Sequence, residues 1–452
     1  MLLLEEKQSA LRMQHRSNQP RLVQAMMDIF TLPDLRRKIL FTLGILVVFR
    51  FMAHVPLPGV DPEAMQEFFG QNLLFGMLDL FSGGAMKNFS MAAMGVYPYI
   101  TASIIMQLLV PVIPRLQALS QEGELGQHKI NRITHLLTIP LAALQGYALL
   151  ALLRSQSPPV IGYLEPLTTA SIITTMTAGT IFLVWLGELI TERGIGNGIS
   201  IIIFGGIVAS LPEMVGRGFI AARDPAGLIA FIILGLATLV LIVAFIEAHR
   251  RIPVQYAKST FRGGRMYRQS GSTYIPLRVN TAGMIPLIFA IALMQLPGTI
   301  STYFMNPTGQ DPNFWNTIYN VFQPDTALPL GLIYQGLYFA LVIGFTFFYT
   351  MIIFEQMNLP QTLQQQSGFI PGVRPGKATA EYLNKVIRRL TFGGALFLAI
   401  VAIMPFIARE ITGVTALVIQ STALLIAVGV ALDTMKQLEA QLTMRRYEGF
   451  LK

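Results

Sequence analysis

A chain of 452 residues that is 53% hydrophobic and 13% charged falls outside the soluble globular class, where charged residues make up about 25%. It has no cysteine, which excludes disulfides, thiol catalysis and cysteine-based metal binding, and its five histidines lack metal-ligand spacing. The formal charge of +9 must sit in the segments between apolar stretches, where it sets the orientation in a membrane.

Residues 1–38 are polar and end in the basic cluster Arg36, Arg37 and Lys38. The start, MLLLEEKQS, has no apolar run of the length a cleavable signal needs. Leu11, Val23, Met26, Met27 and Phe30 can line one side of a surface helix. A first span is predicted over 39–55, ending at Pro56-Leu57-Pro58-Gly59. Arg50 and His54 lie in its outer third, where an arginine is expected to snorkel to the interface. An acidic segment with Asp61, Glu63 and Glu67 follows.

Residues 72–111 begin like a second span and fail. Ser82, Gly83 and Gly84 stop a helix that has barely started, since glycine costs about 1 kcal/mol relative to alanine in a helix interior. The helical piece over 73–81 reaches only about 15 Å, short of a ~30 Å hydrocarbon core. It reads as a re-entrant or interfacial segment, the former tolerated only inside protein or along a cavity. An uninterrupted apolar span is then predicted from Ser90 to Val110, carrying Pro98 between Tyr97 and Tyr99.

Residues 112–132 are polar, with both signs of charge. Spans are predicted at 133–153, 172–191, 197–212 and 226–246, the middle pair joined by the tight turn Thr191–Asn197. The 250–278 segment, with seven Lys or Arg and no acid, reads as a long basic loop. A span follows at 280–300, then 301–328, which lacks Lys and Arg but has Asp311 and Asp325. The 329–354 span leads into a second long loop, 356–389, with five basic residues and only Glu381 as an acid. Spans at 390–408 and 414–433 precede a tail, 434–452, with Lys436, Arg445, Arg446 and Lys452.

The count is ten spans. The positive-inside rule puts both termini and the basic loops in the cytoplasm, the 214–225 loop with Arg217 and Arg223 being a mild exception. Ten spans divide five plus five, into 39–212 and 226–433, and an odd number per half places any repeat in inverted topology. Secondary transporters share that arithmetic, but they keep ionisable groups at the midplane. Here Glu188, Glu247, Glu355 and Asp433 sit at span ends. An apolar middle suits a pore closed by dewetting. A membrane insertase is a further alternative, which would favour an open hydrophilic groove. No phosphate-binding loop of the GxxxxGK[ST] type occurs, so no catalytic constellation and no cofactor are expected.

LFSGGAMKNFSMAAMGVYPYITASIIMQLL at 80–109 resembles the plug and second helix of the SecY/Sec61-alpha family of protein-conducting channels. GELITERGIGNGISIIIFGGIVASLP at 187–212, YIPLRVNTAGMIPLIFA at 274–290, SGFIPGVRPGKATAEYLNKVIRRLT at 367–391 and LLIAVGVALDTMKQLEAQLTMRRYE at 424–448 are similar to later family segments, in family order. The resemblance implies an all-α polytopic membrane protein, two inverted five-helix halves around a central pore, with a re-entrant plug that includes Leu74, Phe75, Met77, Leu78, Phe81, Gly83 and Gly84. It implies a pore ring of Val96, Ile100, Ile203, Ile288 and Ile426, and a lateral gate with Thr101 and Leu296 facing each other and Gln145 and Asn280 holding it shut. It implies docking of a motor or ribosome at Arg262, Arg265, Arg268, Arg374 and Lys377. The implied partners are the small membrane subunits SecE and SecG, the ATPase SecA, the ribosome with its polyanionic RNA, and signal peptides and nascent chains, within the bilayer of a bacterial inner membrane or related organelle membrane.

Overall fold

The computed structural model describes residues 33–58, 64–65, 79, 82–155, 161–162, 165–221, 225–262, 265–283, 285–301, 304, 306, 311–323, 330–412 and 426–442. Its first helix, α1 (Pro33–Met52), has Asp34 in its first turn and Arg50 in its last, each matched to the sign of the helix dipole. Residues 83–96 then form turns, and α2 is only Tyr97–Leu109. The span expected from Ser90 therefore starts seven residues late. Phe89 and Gly95 both take positive φ, +42° and +55°, which a right-handed helix cannot contain. Pro98, favoured in a first helical turn because its missing N–H costs nothing there, sits at the start of α2. The buried non-helical backbone finds partners in the chain after α1: Leu57 N donates to Phe89 O at 2.9 Å, and Met91 N to Val55 O at 3.1 Å.

A 98° bend separates α2 from α3 (Pro114–Gln121). The long helices α4 (Glu124–Ser155) and α5 (Pro166–Arg193) follow, then α6 (Gly198–Ala221) and α7 (Pro225–Glu247). Because α6 runs on to Ala221, most of the expected 214–225 loop is helix. After the hairpin come α8 (Ile285–Ser301), α9 (Phe314–Val321), α10 (Leu330–Met357), α11 (Leu359–Gln365) and α12 (Lys377–Thr412), and residues 426–442 are helical. Among the described residues, four helices are long and apolar enough to cross a membrane, and the bent α2–α3 pair makes a fifth. The molecule is a mostly helical, multi-pass membrane protein.

The two basic loops are not loops. Residues 250–278 lie in an antiparallel hairpin, β1 (His249–Arg262) with β2 (Arg265–Arg278), paired in register from His249↔Arg278 to Arg262↔Arg265. Buried Ile252 and Val254 alternate with exposed Arg251 and Pro253, the two-residue period of a half-buried strand. The second loop supplies α11, the short strand β3 (Gly368–Phe369) and the first turns of α12. β3 adds to β1 through Gln255↔Phe369 and Tyr256↔Gly368. Ile252, Val254 and Leu277 pack with Leu363, Ile370, Leu383, Val386 and Ile387 in one apolar cluster. Both segments thus fold into one module, tied to the last helix by an Arg278–Asp433 contact at 3.4 Å.

The main core draws from α1, α2, α5, α6, α7, α8, α10, α12 and the 426–442 helix. A second cluster joins Leu57, Phe89, Met94 and Tyr97 to Leu149, Leu150 and Leu153 of α4 and Ile172 and Met176 of α5.

Candidate functional site

The five aliphatic residues expected to form a ring all lie in or against the main apolar core. Val96 caps α2 and Ile100 stands one turn on, Ile100 N donating to Val96 O at 3.1 Å. Ile203 comes from α6, Ile288 from α8 and Ile426 from the first turn of the last helix. Four are buried, Ile288 is half-buried, and all belong to the main core cluster. Such a constriction presents no fixed hydrogen-bonding group, so water and ions gain nothing by entering it.

Next to it lies the described end of the broken segment. Leu74, Phe75, Met77, Leu78 and Phe81 lie outside the described residues. Asp79 Oδ1 accepts three hydrogen bonds at 3.0 Å, from Ser82 Oγ, Met86 N and Lys87 N. Gly83 and Gly84 follow at φ +66° and +85°, where a side chain would strain the backbone. Gly83 also crosses α6 at backbone contact: a Cβ built on it would stand 2.6 Å from Gly206 Cα, and one on Gly206 2.7 Å from Gly83 Cα. Gly206 is three residues from Ile203 and so lies on the same side of α6.

Arg50 does not simply snorkel. Its guanidinium donates to the Gly83 carbonyl, fixing the end of α1 to the glycine pair. Asn88 Nδ2 donates to Ala53 O at 3.4 Å beside it. In the sequence Asp79 is the one ionisable residue of the apolar stretch 73–81, and Arg50 needs either the interface or a partner. Asp79 stands a helical turn before a Ser-Gly-Gly break, the spacing of a side chain that caps the chain after it.

The gate residues separate into two groups. Gln145 Nε2 of α4 donates to Thr101 Oγ1 of α2 at 3.4 Å, and Thr101 Oγ1 donates to Tyr97 O. Asn280 Nδ2 instead bonds Gly283 O at 3.1 Å, within its own segment. Neither amide bond crosses from one side to the other: Gln145 reaches Thr101 on α2, and Asn280 stays within its own segment. Leu296 of α8 is 39% exposed, and Thr101 is buried. The two sides meet through Ala292 of α8, which packs in the cluster of Met94, Tyr97, Leu149 and Met176. The buried Gln107 Oε1, Gln145 Oε1, Asn280 Oδ1 and both amide atoms of Gln295 have no hydrogen-bond partner in the structure.

On the hairpin module, the backbone places Arg262 and Arg265 as the last pair of the register and Arg268 opposite Ser259. Arg374 is exposed on the turn between β3 and α12. That turn is fixed by Gly372 and Gly376 at positive φ, by Val373 N on Ile370 O at 3.0 Å, and by Thr379 Oγ1 on Arg374 O at 2.9 Å. Lys377, exposed, is the first residue of α12.

Comparison with known proteins gives one consistent answer. The sequence profile of the SecY family matches residues 90–435. The protein translocase subunit SecY of Streptomyces lividans is 44% identical over 447 residues, covering 95% of this chain and 100% of its own. Among solved structures, one of a protein-conducting channel superposes with a TM-score of 0.64 at 17% identity, over 90% of this chain and 92% of the other. Sec61 in the canine ribosome-channel complex from the endoplasmic reticulum superposes with a TM-score of 0.62 at 18% identity, with the same coverage.

Proposed function

The chain belongs to the SecY family, and we infer that it is the protein-conducting subunit of a Sec translocase, held here in its sealed state. Unfolded secretory chains pass through its centre, and apolar segments leave sideways into the membrane. The single observation that supports this reading is that Val96, Ile100, Ile203, Ile288 and Ile426 lie in or against one apolar core, with Gly83 and Gly206 in close backbone approach beside Phe49 of that core. A flexible aliphatic ring closes around an extended chain of any sequence without offering it specific bonds. The secondary-transporter alternative gains no support from the family.

The finer reading keeps ten spans in two halves, both termini and the hairpin module in the cytoplasm, and 72–84 as the plug. Ala292 against Tyr97 is the closed seam of the lateral gate, and an apolar signal helix competes for it. The hairpin module is the docking face for a motor ATPase or a ribosome. Its supports are the basic composition and the position of Lys377, a cation at a helix N-terminus, where the dipole disfavours it. An unfavourable charge kept on an exposed rigid turn suits an anionic partner. Small membrane subunits complete the assembly.

Ion conductance of the reconstituted complex tests the core of this reading. The intact chain should be silent and a version lacking residues 74–84 should leak. Silence of both, with uptake of a small solute under an ion gradient, overturns it.

A further inference from the structure

The end of the molecule opposite the hairpin carries a feature that the channel reading does not use. After α8 the chain turns at Phe304 and enters the short helix α9. Three asparagines bind this turn to the start of the helix. Asn313 Nδ2 donates to Phe304 O at 2.7 Å, and Asn316 Nδ2 to Asn306 O at 3.1 Å. Asn316 Oδ1 accepts from Asn306 N at 3.0 Å and Asn313 N at 3.2 Å, and Asn313 and Asn316 form a reciprocal cap on α9.

This network holds an aromatic cluster at the surface. Trp315 lies 5.0 Å from the Phe304 ring and 5.9 Å from the Phe314 ring. Phe304 is 56% and Phe314 71% exposed. The whole 301–328 segment has no Lys or Arg. The adjoining helix ends are also apolar at their surfaces, with exposed Ile300 in the last turn of α8 and exposed Leu332 and Ile333 in the first turn of α10. In a membrane protein that exposed flank faces acyl chains, and the aromatic cluster continues it at its rim. Rings with an apolar body and, in Trp, an N–H at the edge are suited to the headgroup level.

We propose that Phe304, Phe314 and Trp315 form a membrane-interface anchor, seated among the lipid headgroups and pinning the ends of α8 and α10. The occupant is a lipid surface because the patch is continuous with the lipid-facing flank and its rings are already fixed by backbone-directed amides. This rests on the membrane reading of the family and not on conduction.

The chain has no cysteine, so single sites can be labelled directly. Thr317→Cys places a nitroxide on the exposed side of α9, one turn from Phe314, and leaves all three rings in place. In the complex reconstituted with its small subunits, power saturation compares access of oxygen, which partitions into lipid, with that of a water-soluble nickel chelate. Lys129→Cys, on an exposed charged segment, is the aqueous reference, and Ile333→Cys is the acyl-chain reference. The label at 317 should read between the two references, and Phe304→Ser with Phe314→Ser should shift it to the aqueous value. An aqueous value with the rings intact overturns the proposal, as does one that falls only when a protein partner is added from that side. Either result leaves the conductance test untouched.

Discussion

The hairpin module and the central apolar cluster are both made from buried aliphatic side chains, yet only one is fixed by register. In the module, Ile252 and Val254 are paired residue by residue with β2, and β3 closes part of the far edge of β1. A one-residue slip would turn both side chains outward, so the surface they support has a single shape. In the centre, Val96 and Ile100 of α2, Ile203, Ile288 and Ile426 come from four helices and belong to one core held by apolar contact. Apolar contact is non-directional, so these helices can part and close again with no register to recover. Shape is specified in the module, the docking face of the proposed function, and left adaptable where any sequence must pass.

The largest effect should come from breaking the registered region. Val254→Asp buries a carboxylate with no cation facing it in the cluster, which costs on the order of 3 kcal/mol or more. Trypsin should then cut within 250–278, while the reconstituted channel stays silent to ions. A leak in this variant would mean that the two regions are one mechanical unit, and the contrast would fail.

Next in size is the glycine crossing. Gly83→Val sets a Cβ against Gly206 Cα and places a branched residue at φ +66°, a strain of about 1–2 kcal/mol with overpacking of about 1–3 kcal/mol on top. A steady ion leak with a trypsin-resistant hairpin is expected. Gly206→Ala meets the same contact from within a helix and lacks the φ strain, so its leak should be smaller. Equal leaks would show that strain at Gly83 is irrelevant to the seal.

Arg50→Gln removes the charged donor to Gly83 O, worth about 1.5–3 kcal/mol when the donor is ionised. Single-channel records should show brief openings in place of a steady leak, and Arg50→Lys should restore part of the closed time. Smaller again is Gln145→Leu, which deletes the bond to Thr101 Oγ1, in the range of about 0.6–2 kcal/mol for a bond between membrane helices. By loosening the α2–α4 side of the gate, it should lower the signal hydrophobicity needed for crosslinking to α2, with no ion leak. A leak here would place Gln145 in the seal and outside the gate.

Much of this was legible in the sequence, for reasons that differ by element. The long helices α4, α5, α10 and α12 announce themselves by apolar length. The late start of α2 was not read, because hydropathy is blind to the positive φ of Phe89 and Gly95. The hairpin could have been read: Ile252, Val254 and Tyr256 alternate, as do Ile275 and Leu277, but the density of Lys and Arg favoured a loop. The ring residues were legible only through family resemblance, since any single aliphatic in a span is unremarkable. Asp79 before Ser82-Gly83-Gly84 carries a capping signal, but the Arg50–Gly83 contact lies beyond such reading, because a backbone carbonyl leaves no mark in the letters.

The smallest effect on the fold should come from Arg374→Glu, and it discriminates most finely between shape and charge as the basis of docking. Ile370 is buried and Val373 packs against the module core, while Thr379 bonds the backbone carbonyl of residue 374, so none of the turn's supports uses the arginine side chain. The new acid would stand just before α12, where the dipole favours a negative charge by about 0.3–1 kcal/mol. Stability should therefore hold or rise slightly, and the chain should insert and remain silent to ions. Secretion driven by the motor should be lost all the same, because an anionic partner now meets a carboxylate on an unchanged turn. Lys377→Glu should act in the same direction at the next exposed cation. If export survives both reversals together, the docking face lies elsewhere, and the rigid register of the module serves the channel itself.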